Sequence, residues 1–248
     1  DAPTGSRLAQ HVLFCLIAAH PLWFLRAADV RAAFLKGDPY VRRVLYMTGA
    51  DGSKGPTIPI PQGCVARVLK GVFGLVDAPR EWWLRLDREL RALGWERSSL
   101  DGALWFLRQP QAAEGESGLH GVIVGHVDDL LFGGDSRALE SLEKLGNTLG
   151  FGSIEKEDFT WCGKRIRRDP DTKEIVVSMT TYHAQLTPLV IPRARRQELE
   201  APLTPQEVKK LKGILGSLQW LTAQLRFDIA FQVSSLQSEK PTVSTLLR

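Results

Sequence analysis

The chain has 248 residues, 44% of them hydrophobic and 24% charged, a balance that excludes disorder and fibre and supplies enough apolar material for one large core or two small domains. Its formal charge is only +4, yet residues 160–248 carry 14 Lys/Arg against 8 Asp/Glu while residues 1–159 carry 18 against 20. The basic runs "GKRIRR" (163–168) and "PRARR" (192–196) suit either a polyanion such as nucleic acid or a merely solvated face.

Residues 6–19 have the pattern of a buried helix capped by Ser6 and ended by Pro21. The uninterrupted apolar stretch there, Val12 to Ala19, is too short to span a membrane. No charged region ahead of it marks a signal peptide, and a chain opening at Asp1 reads as a fragment of something longer. Cys15, Cys64 and Cys162 are far apart and form no C-x-x-C pair, which predicts reduced thiols in an intracellular compartment. The five histidines lack ligand spacing and a neighbouring cysteine pair, so no zinc site is expected.

"LWFLRAADV" (22–30) reads as a strand running into Asp29, and "VLYM" (44–47) and "ARVL" (66–69) as short strands about a Gly/Pro-rich loop at 48–63. In "APREWWLRLDRELRALG" (78–94), Trp82, Trp83, Leu86, Leu90 and Leu93 recur at helical spacing, Pro79 suits the first turn and Gly94 stops the helix. A strand at 103–108, a polar loop at 109–118 and the hairpin "GVIVGHVDDLLFGGD" (121–135) follow, then a helix from Ser136 to about Leu149. Residues 159–179 read as two strands about a Pro-Asp turn, and the chain is mostly helical from Pro205. This irregular alternation argues an α+β fold rather than a doubly wound parallel sheet.

Three acids stand out. Asp29 ends one expected strand, and Asp128 and Asp129 sit at the tip of the hairpin, where adjacent antiparallel strands could bring all three together. Either the pair is the solvated turn of a hairpin, or it waits for a cation that removes the repulsion. Mg²⁺ is the hard, oxygen-seeking ion suited to such a cluster, and two of them would serve phosphoryl transfer to a primer 3′-hydroxyl.

"DVRAAFLKGD" (29–38), "VLKGVFGLVDAPREWW" (68–83), "HVDDLLFGG" (126–134), "WCGKRIRRD" (161–169), "VSMTTYHAQL" (177–186) and "GSLQWLTAQLRFDIAFQVS" (216–234) occur in that order. Together they resemble copia-type retrotransposon reverse transcriptases over nearly the whole chain. The resemblance implies a right-hand polymerase, with partial fingers and a palm in residues 1–159 and the palm end, primer-grip hairpin and thumb-like helices in 160–248. It makes Asp29 similar to the first palm aspartate and Asp128 and Asp129 similar to the Y-x-D-D pair, together holding two Mg²⁺, with Mn²⁺ the alternative ion.

Further roles follow from the same likeness. Phe34 is similar to the aromatic steric gate that favours deoxynucleotides, its alternative being a simple core phenylalanine. Phe73, Gly74, Ala78 and Pro79 look like the segment that supports nucleotide and template, although glycine there also suits a plain turn. Trp161, Cys162 and Gly163 resemble the primer grip, with sheet core as the equal alternative. Lys164, Arg165, Arg167 and Arg168, with the helix from Pro205, would meet the primer–template backbone. Asp228 is expected as a helix cap or structural partner, outside the site.

The implied partners are an RNA or DNA primer–template, deoxynucleoside triphosphates, and the ribonuclease H and integrase modules of a parent polyprotein. A cytoplasmic virus-like particle is the implied location, and no membrane is involved. The sequence departs from the pattern at His126 (usually Tyr), Val76-Asp77 (usually Lys-Gln) and Phe227 (usually Pro), and the basic fingers strands that precede the first helix in the family are expected to be missing. His126 keeps a ring but can gain a proton near neutral pH. Asp77 places an acid where phosphates would pass. The competing expectation is a truncated or decayed remnant that binds nucleic acid without catalysis.

Overall fold

A computed structural model describes residues 2–41, 43–48, 60–61, 63–109 and 118–246. Most of the two loops expected at 48–63 and 109–118 lies outside the described residues. The chain divides into two compact units, Asp1–Cys162 with Ile166–Val176, and Gly163–Arg165 with Val177–Arg248. The division thus crosses one hairpin.

In the first unit, helix α1 (Arg7–Ala19) begins where Ser6 Oγ accepts from the Ala9 amide, and buries Ala9, Leu13 and Ile17 on one stripe. Strand β1 (Phe24–Val30) and the single turn α2 (Ala33–Lys36) follow. Strands β2 (Leu45–Thr48) and β3 (Val65–Val68) pair as an antiparallel ribbon. Helix α3 (Ala78–Ala92) has Pro79 in its first turn and buries Trp82, Leu86 and Leu90, as the spacing predicts.

Strands β4 (Trp95–Arg97), β5 (Leu104–Arg108), β6 (Leu119–His126) and β7 (Asp129–Gly134) lead into α4 (Ser136–Leu149) and β8 (Phe151–Lys156). The sheet runs β4-β5-β6-β7-β1-β8, and every pairing in it is antiparallel. Mixed helices over an antiparallel sheet make this an α+β architecture. Ala28, Val30, Trp82, Leu86, Leu90, Trp105, Ile123, Leu130 and Leu142 belong to one buried cluster, so α3, α4 and the middle strands share a core. Asp87 of α3 is buried in this layer with its hydrogen-bonding needs met, accepting from Trp105 Nε1 at 2.9 Å, Arg91 Nε at 2.9 Å and Arg97 Nη1 at 3.3 Å.

Strands β9 (Asp158–Trp161), β10 (Lys164–Arg168) and β11 (Ile175–Ser178) form a smaller sheet ordered β11-β10-β9. This adds β9, β4 and β8 to the strands expected from sequence.

The second unit holds α5 (Thr180–Ala184), α6 (Pro205–Gln224), α7 (Ala230–Ser238) and α8 (Val243–Leu246). Thr204 and Glu207 form a reciprocal capping box at the start of α6. Arg195, then the Thr204 amide, holds the Glu207 carboxyl down at about 2. Asp228 sits in a 3₁₀ turn and pairs with Arg226 at 2.8 Å, the structural partnership the sequence suggested. Among the described residues no helix is long and apolar enough to cross a membrane.

Candidate active site

Strands β1 and β7 are neighbours, and their register sets Asp29 directly opposite Asp129. Residues opposed across an antiparallel pair project to the same face, so two carboxylates from distant parts of the chain share one surface. Asp128 occupies the turn between β6 and β7, and its carbonyl accepts from the Val30 amide at 3.0 Å, tying that turn to the end of β1. On the other side, the β1–β8 register slips between Ala28 and Val30. The bulge falls at Asp29, a local irregularity that re-aims a side chain. Gly152 of β8 leaves room for it, since a Cβ there would stand 2.9 Å from Asp29 Oδ2.

The three acids are half-buried, and none of them is ion-paired among the described residues. Burial first, then the charges of Asp128 and Asp29, push the Asp129 carboxyl above its ordinary value; His126 opposes this and Glu155 adds to it. Uncompensated like charges around one surface are what a hard divalent ion would relieve. Mg²⁺ characteristically uses one or two carboxylates, keeps waters and takes its remaining ligands from substrate phosphates, so an open arrangement of this kind fits it. The oxygens of Asp29, Asp128 and Asp129 do not form a closed cage: among the described residues, the trio whose ligand atoms all lie within 4.8 Å of one another is His126, Asp129 and Cys162.

The turn itself is strained. His126 pairs with Asp129, leaving Val127 and Asp128 as a two-residue connection in which Val127 has φ +59°. Hairpin turns put glycine where φ must be positive, and a β-branched residue there is an outlier costing on the order of 1–3 kcal/mol. Trp82 holds it in place: the buried indole on α3 donates its Nε1–H to the Val127 carbonyl at 2.7 Å. Trp82→Phe keeps the ring and removes this donor. It is expected to lower stability by about 0.5–1.5 kcal/mol in urea unfolding and to make the 126–129 amides exchange faster, whereas unchanged exchange there would mean the indole does not secure the turn.

The remaining expected site residues divide. Phe34 is only 9% exposed and packs in the core cluster, and its ring stacks at a tilt 4.7 Å from that of Phe73, which is 77% exposed. Gly74, at φ +93° with open space around its Cβ position, makes the turn that follows. Ala78 is fully buried, which corrects the expectation that it contacts nucleotide or template, and Gly71 is the residue that admits it, because a Cβ on Gly71 would approach Ala78 Cβ to 2.9 Å. Pro79 stays half-buried in the first turn of α3.

Trp161 is buried and sets its ring edge-on to His126 at 6.1 Å, while Cys162 (φ +48°) and Gly163 (φ +76°) form the tight turn between β9 and β10. In β10 the expectation of four phosphate-binding cations is corrected. Burial alternates along the strand, so Lys164 and Arg168 are turned inward and only Arg165 and Arg167 are exposed. Arg168 spends its guanidinium on the carbonyls of Trp23 and of Pro21, the latter at 3.1 Å, and cannot also meet a polyanion. The lone apolar residue in "KRIRR", Ile166, carried the signal: with a period of two, an inward Ile166 takes residues 164 and 168 inward with it.

Asp77, the acid that departs from the family pattern, accepts from Tyr40 Oη at 3.1 Å and Arg43 Nη2 at 2.8 Å, and Arg43 also lies 4.6 Å over the Tyr40 ring. Its charge is thus engaged within the chain.

No family model matches the sequence. The retrovirus-related Pol polyprotein from transposon RE2 of Arabidopsis thaliana is 28% identical over 232 residues, 89% of this chain and 15% of that protein. The corresponding RE1 polyprotein from the same plant is 27% identical over 233 residues, again 89% and 15%, and the Pol polyprotein from transposon TNT 1-94 of Nicotiana tabacum is 23% identical over 226 residues, 83% and 16%. The chain therefore spans about one-sixth of the length of the curated relatives it matches. Along nearly all of its own length, it is related to the Pol polyproteins of copia-type retrotransposons.

Proposed function

We propose that the chain is the RNA-directed DNA polymerase segment of such a polyprotein, with the six-stranded unit as palm and the helical unit as the start of a thumb. The observation that carries this reading is Asp29 facing Asp129 across β1 and β7, with Asp128 in the adjoining strained turn and no ion pair to any of the three among the described residues. Asp29, Asp128 and Asp129 would hold Mg²⁺, which when bound supplies Lewis-acid activation of the primer 3′-hydroxyl and charge neutralisation on the phosphates. The residues of the chain position: the β1–β7 ladder fixes the distance between the acids, Trp82 fixes the turn, and the exposed Arg165 and Arg167 offer sequence-independent charge to a nucleic-acid backbone.

In this reading the substrates are a primer–template and deoxynucleoside triphosphates, and ribonuclease H and integrase modules belong to the rest of the polyprotein. Primer extension on an RNA template with Mg²⁺ and deoxynucleotides tests it, the parent being compared with a folded Asp128→Asn variant. Extension by the parent alone is the expected result. Salt-sensitive template binding without extension by either protein would select the decayed binding remnant.

A further inference from the structure

The chemistry of His126, Asp129 and Cys162 differs from that of the three carboxylates. Their ligand atoms, an imidazole nitrogen, a carboxylate oxygen and a thiol sulfur, all lie within 4.8 Å of one another, and all three residues are half-buried and reachable from solvent. Two tight turns converge to make the set. His126 and Asp129 flank the β6–β7 turn, and Cys162 sits in the turn after β9, held there at φ +48°. The Trp161 ring, edge-on to His126, restricts the imidazole on one side.

Sulfur and imidazole discriminate against Mg²⁺ and favour Zn²⁺ and its thiophilic neighbours. Zinc bonds of about 2.0–2.3 Å in a tetrahedral site set ligand-to-ligand separations of about 3.3–3.8 Å, inside the 4.8 Å that bounds the set, so side-chain rotations alone can close it. Three protein ligands and one open position is the arrangement of an accessible, exchangeable zinc site.

We propose that His126, Asp129 and Cys162 bind one Zn²⁺ or similarly thiophilic divalent ion. Because Asp129 belongs to both sets, occupation withdraws it from the carboxylate site, and Zn²⁺ then acts as an inhibitor at the strained turn. That consequence rests on the polymerase reading, whereas the binding site does not.

Co²⁺ substitution tests the site without any activity assay. Titrated into the full chain, Co²⁺ is expected to produce a thiolate-to-metal charge-transfer band and the visible bands of a four-coordinate ion, both discharged by Zn²⁺. The charge-transfer band should vanish in Cys162→Ser and persist in Cys15→Ser and Cys64→Ser. His126→Asn and Asp129→Asn should weaken binding by at least the roughly 10–100-fold that loss of even an outer-shell partner costs. A folded parent with no charge-transfer band, or a band that survives Cys162→Ser, overturns the proposal. Alkylation of the unaltered chain needs no variant: Zn²⁺ should slow iodoacetamide modification of Cys162 and leave that of exposed Cys15 unchanged, and equal rates at Cys162 with and without Zn²⁺ also overturn it. A chain that shows the cobalt spectrum yet never extends a primer sinks the polymerase reading alone.

Discussion

Asp129→Asn is expected to make the protein slightly more stable and, on the proposed polymerase reading, to cripple Mg²⁺-dependent primer extension, two effects of opposite sign from one side chain. The stability effect follows from the raised carboxyl pKa, caused first by burial and then by Asp128 and Asp29. A carboxyl whose folded pKa exceeds its unfolded value contributes stability that is fully present below the unfolded pKa and is lost as pH rises through the folded one. At neutral pH the ionised Asp129 is therefore a cost to the fold that asparagine does not carry. Solvent screening of a half-buried group limits the gain to no more than about 1 kcal/mol. Urea unfolding without divalent ions should place the variant's midpoint above the parent's at neutral pH, with the advantage shrinking as the medium is acidified below the ordinary carboxylate range.

Added Mg²⁺ should then raise the parent's midpoint by mass action and leave the variant's nearly unmoved. Primer extension should fall on the order of 10²-fold or more, the scale of losing one preorganised electrostatic contact at the reacting centre. A variant that unfolds with the parent at every pH would mean the acids do not repel one another in the fold. One that still extends primers would remove Asp129 from the site.

Much of this geometry was legible in the sequence because it follows simple periods. Trp82, Leu86 and Leu90 recur at helical spacing and line the buried face of α3, and the apolar runs on either side of Asp128-Asp129 become the β6–β7 hairpin. Strand β8 was missed because five of its six residues are exposed, which leaves no apolar alternation to read, and β4 because three residues are too few to show a period. That Asp29 and Asp129 could converge followed from two strand-end acids in an antiparallel arrangement. Their opposition residue for residue depends on register, which one sequence does not specify.

The His126–Asp129–Cys162 set was invisible for a different reason. Zinc spacing rules read ligands along the chain, whereas here two turns far apart in sequence deliver them. The bond from Trp82 to Val127 was hidden likewise, because a helical tryptophan shows its apolar stripe in the sequence but not the destination of its N–H.

Gly134→Ala should produce the largest loss of stability among single small substitutions near the hairpin. Gly134 ends β7 opposite Gly121 of β6, and α4 packs where these two glycines lack side chains. A Cβ on Gly134 would stand 2.5 Å from both Ala138 Cβ and the His120 carbonyl and 2.9 Å from Gly121 Cα. Two of those neighbours are backbone of the adjacent strand, so no rotamer change relieves the clash. Either β6 and β7 separate or α4 lifts from the sheet, and α4 is held by Asp135, which accepts from the Arg137 and Ala138 amides and whose other oxygen lies 2.7 Å from His120 Nδ1. The expected cost is at or above the top of the roughly 1–3 kcal/mol range for overpacking a tight core, measured as a lowered urea midpoint at unchanged slope. Combining it with Ala138→Gly removes one of the two closest contacts. The double variant should therefore be more stable than the sum of the single losses predicts, by a coupling of about 0.5–3 kcal/mol. Strict additivity would show that Ala138 yields freely and that the carbonyl of His120 alone sets the cost. Since β6 and β7 carry the acids at their far end, any separation of these strands also disturbs the register that opposes Asp29 to Asp129, and the Mg²⁺-induced rise in midpoint should diminish in step with the loss of stability.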